Sequence, residues 1–148
     1  VTILILVLAF IGGFFIFYKD RSPSNQQNKT AEVSTSQKWE TKTDDQASVT
    51  VVVTPLDLSS QSTEWKFDIG MNTHSVELDQ DMTKVAVLVD DQGKEYQATS
   101  WKGPEGGGHH REGVLTFNPI TPYPQHLTLK IKDIGGVERI FSWTLIEE

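Results

Sequence analysis

The chain has 148 residues, a net charge of −7 and no cysteine. Without thiols it has no disulfides, no thiolate catalysis and no cysteine-ligated zinc. The acidic balance repels phosphate backbones and anionic lipid surfaces, which excludes nucleic acid as a natural partner.

Val1–Tyr18 is an uncharged apolar run. As a helix rising about 1.5 Å per residue it covers roughly 27 Å, enough for the hydrocarbon layer of a bilayer. A cleaved signal peptide is the alternative, but Phe17-Tyr18-Lys19-Asp20-Arg21 offers no small-x-small cleavage site. A buried core helix is disfavoured because no face of the run is polar. The expectation is a single transmembrane signal anchor. The chain begins on Val rather than Met, so a preceding flank is expected. Lys19 and Arg21 would favour a cytoplasmic C-terminal side, yet domains translocate largely regardless of charge, and the tethered part is expected to face outward.

From Lys19 to Ala47, five basic and five acidic residues cancel, so the acidic excess lies in residues 48–148. The Lys19–Ala47 stretch is rich in Ser, Thr, Gln and Asn, with Trp39 as its one aromatic residue. It has too little apolar surface to offset ordering entropy and reads as a flexible polar linker. Such a coil holds its cargo about 30 Å from the membrane. Asn28-Lys29-Thr30 matches a glycosylation sequon, a pattern that chance explains equally well in a polar segment.

From Ser48 the pattern has period two, the signature of half-buried strands. Val49, Val51 and Val53 share one face. Trp65, Phe67 and Ile69 form a second row, Val85, Val87 and Val89 a third, with weaker candidates at Thr73–Leu78 and Glu95–Ser100. Leu115 and Phe117 mark a short strand within Gly113–Asn118. Leu127, Leu129 and Ile131, then Phe141, Trp143 and Leu145, supply the last two rows. Asp90-Asp91-Gln92-Gly93 and Ile134-Gly135-Gly136-Val137 read as turns, the second a tight hairpin. No convincing helical stripe lies beyond the anchor. Seven to eight short strands in residues 48–148 predict one all-β, antiparallel β-sandwich.

Val85–Tyr96, ending Val-Leu-Val-Asp90-Asp91-Gln-Gly93-Lys-Glu-Tyr96, resembles the hairpin of small immunoglobulin-like modules. The resemblance implies an immunoglobulin-like sandwich, of a kind common behind bacterial and archaeal membrane anchors. It brings no functional residues with it.

Trp101–Gly113 is unlike the rest, with five glycines and a proline around His109-His110-Arg111-Glu112. Glycines let backbone amides approach a guest closely, and Arg reads carboxylate or phosphate bidentately. Three uses compete. His109 and His110, with His74 or Glu112, can hold a divalent ion such as zinc, copper(II) or nickel, provided the backbone bends. Trp101, His109, His110, Arg111 and Glu112 can instead contact a ligand or protein partner. Or Trp101 covers the core edge while His and Arg bond carbonyls that the loop leaves unpaired. Glu77, Asp79 and Asp81 recur at every second residue, which suits calcium or a solvated strand face.

No Gly-x-Ser-x-Gly elbow, His-Glu-x-x-His or phosphate loop is present, so catalysis is not expected. The expected function is a membrane-anchored, extracytoplasmic binding or scaffolding module of a cell envelope, with a protein partner there. A divalent metal-binding domain is the alternative.

Overall fold

A computed structural model describes residues 39–145. The expected Val1–Tyr18 anchor, the expected linker up to residue 38 and the Asn28 sequon lie outside these residues. Among the described residues no helix is long and apolar enough to cross a membrane.

The first strand comes from sequence that reads as linker. Lys42–Gln46 (β1) pairs antiparallel with Val49–Asp57 (β2) across Ala47-Ser48. Both turn residues take positive φ, 50° and 62°, as a tight primed turn requires. β2 pairs with Trp65–Thr73 (β3), after which a single helical turn, Met82–Val85 (α1), precedes Ala86–Val89 (β4). Short strands Glu95–Gln97 (β5) and Ser100–Lys102 (β6) come next, then His110–Phe117 (β7), His126–Ile134 (β8) and Val137–Thr144 (β9). The strands form two antiparallel sheets, β1-β2-β3-β7-β6 and β5-β4-β8-β9.

The alternating rows face inward between the sheets. Val49, Val51 and Val53 of β2, Trp65, Phe67, Ile69 and Met71 of β3, and Leu127, Leu129 and Ile131 of β8 are all buried. Phe67 ties the layers together. Its ring lies edge-on to Phe117 at 5.8 Å within its own sheet and 5.6 Å from Trp143 of the other. Both expected turns form. Gly93 has φ 77°, and Gly135 and Gly136 have φ 69° and 74°.

Four expectations need correction. The linker stops short of Ala47, because β1 gains a full backbone ladder with β2 and Trp39 is buried in the core. That stability comes from main-chain bonds and from a partner outside the segment, which composition does not report. Thr73–Leu78 is not a strand beyond Thr73. The row Val85-Val87-Val89 is off by one, since Val85 ends the helical turn and Ala86 and Leu88 enter the core. Finally, Glu95–Ser100 is broken in two, with β5 and β6 belonging to different sheets.

The chain enters and leaves the described sandwich at one end. Nε1–H of Trp143 donates to the carbonyl of Glu40 at 2.7 Å, beside the last described residues. β1 runs from there to the opposite end. Arg139 of β9, fully buried, locks β1 in place. Its Nη1 donates to the Asp44 carboxylate and carbonyl, and Nη2 to the carbonyls of Gln46 at 2.8 Å and Ile134 at 3.2 Å. The carbonyls of Glu40, Asp44 and Gln46 are all taken by side chains of β9, which thereby cap one edge of β1. An edge so capped is a poor template for pairing with another chain.

The acidic Glu77, Asp79, Asp81 series does not act as one face. Glu77 Oε1 accepts from the Gly108 amide at 3.1 Å, while Asp81 caps α1 by accepting from Thr83 N at 3.0 Å and Thr83 Oγ1 at 2.6 Å. The Thr83 hydroxyl and Lys84 hold the Asp81 carboxyl at about 2, below its ordinary 3.8. A depressed carboxylate stabilises the fold above the ordinary value and loses that contribution as pH falls through the depressed one. Acid unfolding of Asp81→Asn should therefore be flatter than wild type between pH 3.8 and about 2. An unchanged slope would remove the cap from the acid response.

Candidate functional site

The glycine loop joins β6 to β7, and Arg111 organises it. Arg111 sits opposite Met71 on the inward face of β7, with 1% of its surface exposed. Its Nε donates to Pro104 O at 3.0 Å and Nη2 to Glu105 O at 2.7 Å. Nη1 donates to Gln80 O at 2.6 Å and Leu78 O at 3.5 Å. Burial lowers the Arg111 pKa, and the nearby charges of Asp81 and Asp79 work against that shift. Gly107 N–H bonds Leu78 O at 2.9 Å, and Thr73 N–H bonds His109 O at 2.9 Å. The loop is thus stitched to residues 73–80 rather than held open for a guest.

Trp101 covers this junction. The guanidinium carbon of Arg111 lies 5.2 Å from its ring, within cation–π range, and the indole N–H donates to Pro104 O at 2.8 Å. Gly103 and Gly113 are small for a reason. A Cβ on either would stand 2.7 Å from Trp101 Cζ2, and one on Gly113 would also stand 2.7 Å from the Lys102 carbonyl. Gly113→Ala should cost about 2 kcal/mol by overpacking, read by urea denaturation. A loss under about 0.5 kcal/mol would mean that both the indole and the Lys102–Gly103 backbone give way freely.

Of the predicted contact residues, Arg111 is therefore spent on internal carbonyls and Trp101 on the loop. The reading in which the loop satisfies its own backbone describes both. His109, His110 and Glu112 are exposed. His110 Nδ1 lies 2.5 Å from Asn72 Oδ1, and its Nε2 lies 3.7 Å from Glu112. Burial pushes the Asp68 carboxyl up on the same sheet face, and the charge of Glu112 adds to it.

Three of the four histidines meet at one feature. His74, His109 and His110 line an open groove of about 780 Å³ with Asp45, Ser48, Thr50, Asn72, Thr73 and Ser75. The strand register explains the gathering. Asp45 pairs with Thr50, Thr50 with Asn72 and Asn72 with His110, giving one outward row across β1, β2, β3 and β7. Yet among the described residues no group of three or more His, Asp or Glu is arranged to hold a metal ion. The expected set His74, His109 and His110 shares a groove without forming a ligand cage. Asp45, Thr50 and Asn72 were missed. Thr50 is legible as outward from the valine alternation, but the row appears only once the strands are paired.

No family model matches the chain, and no curated protein matches it. Among solved structures it is similar to a DUF4426 family protein from Pseudomonas aeruginosa, at 11% identity and a TM-score of 0.40, over 73% of this chain and 96% of that one. No specific family is identified. A likeness this loose carries no argument about fold or function.

Proposed function

We propose that this chain is a membrane-anchored, extracytoplasmic binding module of a cell envelope that carries out no chemistry. The observation that supports this reading most is polarity along the sandwich. The chain joins at the end marked by Glu40 and Trp143, while the His74–His109–His110 groove lies by the Ala47-Ser48 turn, at the far end of β1. A partner held at the groove therefore does not compete with Glu40 and Trp143, where the chain joins. The fold reading within the proposal is an immunoglobulin-like sandwich. Leaving β1 aside, the orders β2-β3-β7-β6 and β5-β4-β8-β9 correspond to the A-B-E-D and C′-C-F-G strands of that architecture.

The test is site-specific photo-crosslinking in cells producing the full chain. A crosslinker at Ser75, on the groove, should yield reproducible adducts in the membrane fraction, and one at Lys94, in the β4–β5 turn, should not. A chain found outside the membrane fraction, or no adduct at Ser75, would overturn the reading. A second reading, divalent-metal binding, draws on His74, His109 and His110 lining one groove. Stoichiometric heat with zinc or copper(II), abolished by His109→Ala with His110→Ala, would establish it.

A further inference from the structure

We infer that the groove binds a neutral, hydroxyl-rich ligand, namely a short stretch of sugar chain, an inference that rests on the binding-module reading above. The lining residues narrow the choice by elimination. They include no Lys or Arg, so phosphate and other anions find no cationic partner, and Asp45 repels them. They include no Trp, Tyr, Phe, Leu or Met, so no large apolar side chain is there to seat a wholly apolar molecule. What the groove does offer is hydroxyl, amide, imidazole and carboxylate groups close together, which match the mixed donors and acceptors of vicinal hydroxyls.

Several of these groups still have bonding capacity. Thr50 Oγ1 donates to one oxygen of Asp45 at 3.2 Å, which leaves the other carboxylate oxygen open. The imidazoles of His74 and His109 make no hydrogen bond or ion pair among the described residues. Thr73 Oγ1 is committed, donating to Ser48 O at 2.7 Å and accepting from Ser75 N and Val76 N at 3.2 Å each, so it fixes the groove wall. The row Asp45, Thr50, Asn72, His110 crosses three strand spacings, roughly 14 Å, the length of a short oligosaccharide laid across the strands. Gly70, in the neighbouring row between Val52 and Glu112, leaves open space where a side chain would stand.

The test is calorimetric titration of the full chain, held in detergent, with chitotetraose, cellotetraose and maltotetraose as probes. At least one should bind saturably, with affinity little changed from low to high salt, as expected for hydrogen bonds to an uncharged ligand. Asp45→Asn and His109→Ala should each weaken binding about tenfold, the loss expected for a hydrogen bond involving a charged or tightly oriented group. His126→Ala, on the first residue of β8 and outside the groove, should leave it unchanged. Both groove side chains are exposed, so thermal melts should match wild type and exclude unfolding as the cause. If no sugar binds while Ser75 still crosslinks to a protein, the sugar inference fails and the binding module stands. If neither occurs, both fail. Binding that collapses with salt would overturn the neutral-ligand assignment in favour of a charged polymer.

Discussion

Arg111→Ala should lower the unfolding free energy by about 3–4 kcal/mol, because it strips charged donors from buried carbonyls and frees the glycine loop. For a domain of this size the thermal midpoint falls by roughly 15 °C. The residue is buried, its donors are taken by the carbonyls of Leu78, Gln80, Pro104 and Glu105, and Trp101 stacks on it. Amide exchange at Gly107 and Gly108 should accelerate in the variant, since their bonds to Leu78 O and Glu77 depend on the loop staying docked. Arg111→Lys should recover less than half of the loss. An ammonium is a compact charge that cannot span a fork of carbonyls or stack on an indole in the same way. A cost below about 1 kcal/mol for Arg111→Ala would show that water satisfies those carbonyls as well as the guanidinium does.

Arg139→Met should be as severe, at about 3–5 kcal/mol, with its damage concentrated on β1. The side chain is fully buried between the sheets, and its Nε has no hydrogen-bond partner among the described residues. Its stabilising value rests on Nη1 and Nη2, which hold Asp44, Gln46 and Ile134. In the variant the β1 amides should exchange quickly and the Ala47-Ser48 turn should become a protease site, while the core built on Phe67 and Trp65 persists at low temperature. Asp44→Asn keeps an acceptor oxygen and should cost less. A double-mutant cycle between positions 44 and 139 should return a coupling of about 1–3 kcal/mol. Coupling near zero would mean that the carbonyls alone hold Arg139, and that Asp44 is incidental.

The two arginines show where sequence reading reaches its limit. Arg111 stands in a glycine-rich, histidine-rich stretch that looks built for a guest. Its chemistry suits a ligand oxyanion and a ring of backbone carbonyls equally well, and only the approach of residues 78–80 decides between them. Arg139 gives no local signal, because it interrupts no motif in β9. Its role depends on Asp44, 95 residues away in the chain. The groove is similar. His109 and His110 stand out in the sequence, but Asp45, Thr50 and Asn72 join them through strand register, a property of pairing that single-strand alternation leaves open.

Period-two alternation was enough to establish an all-β domain over the described residues and most of its core, since a strand with one buried face must alternate wherever it lies. The polar strand β1 escaped that logic, because its ladder and the Arg139 clamp stabilise it without apolar side chains of its own. The one-residue slip in β4 arose because valines on its outer face mimic an inward row. Tertiary packing alone decided that the glycine loop is closed on itself and that three histidines share a polar groove beside it. The reason is physical. Local pattern reports which groups need burial, whereas the free groups left for function are those that remain after long-range partners have taken the rest.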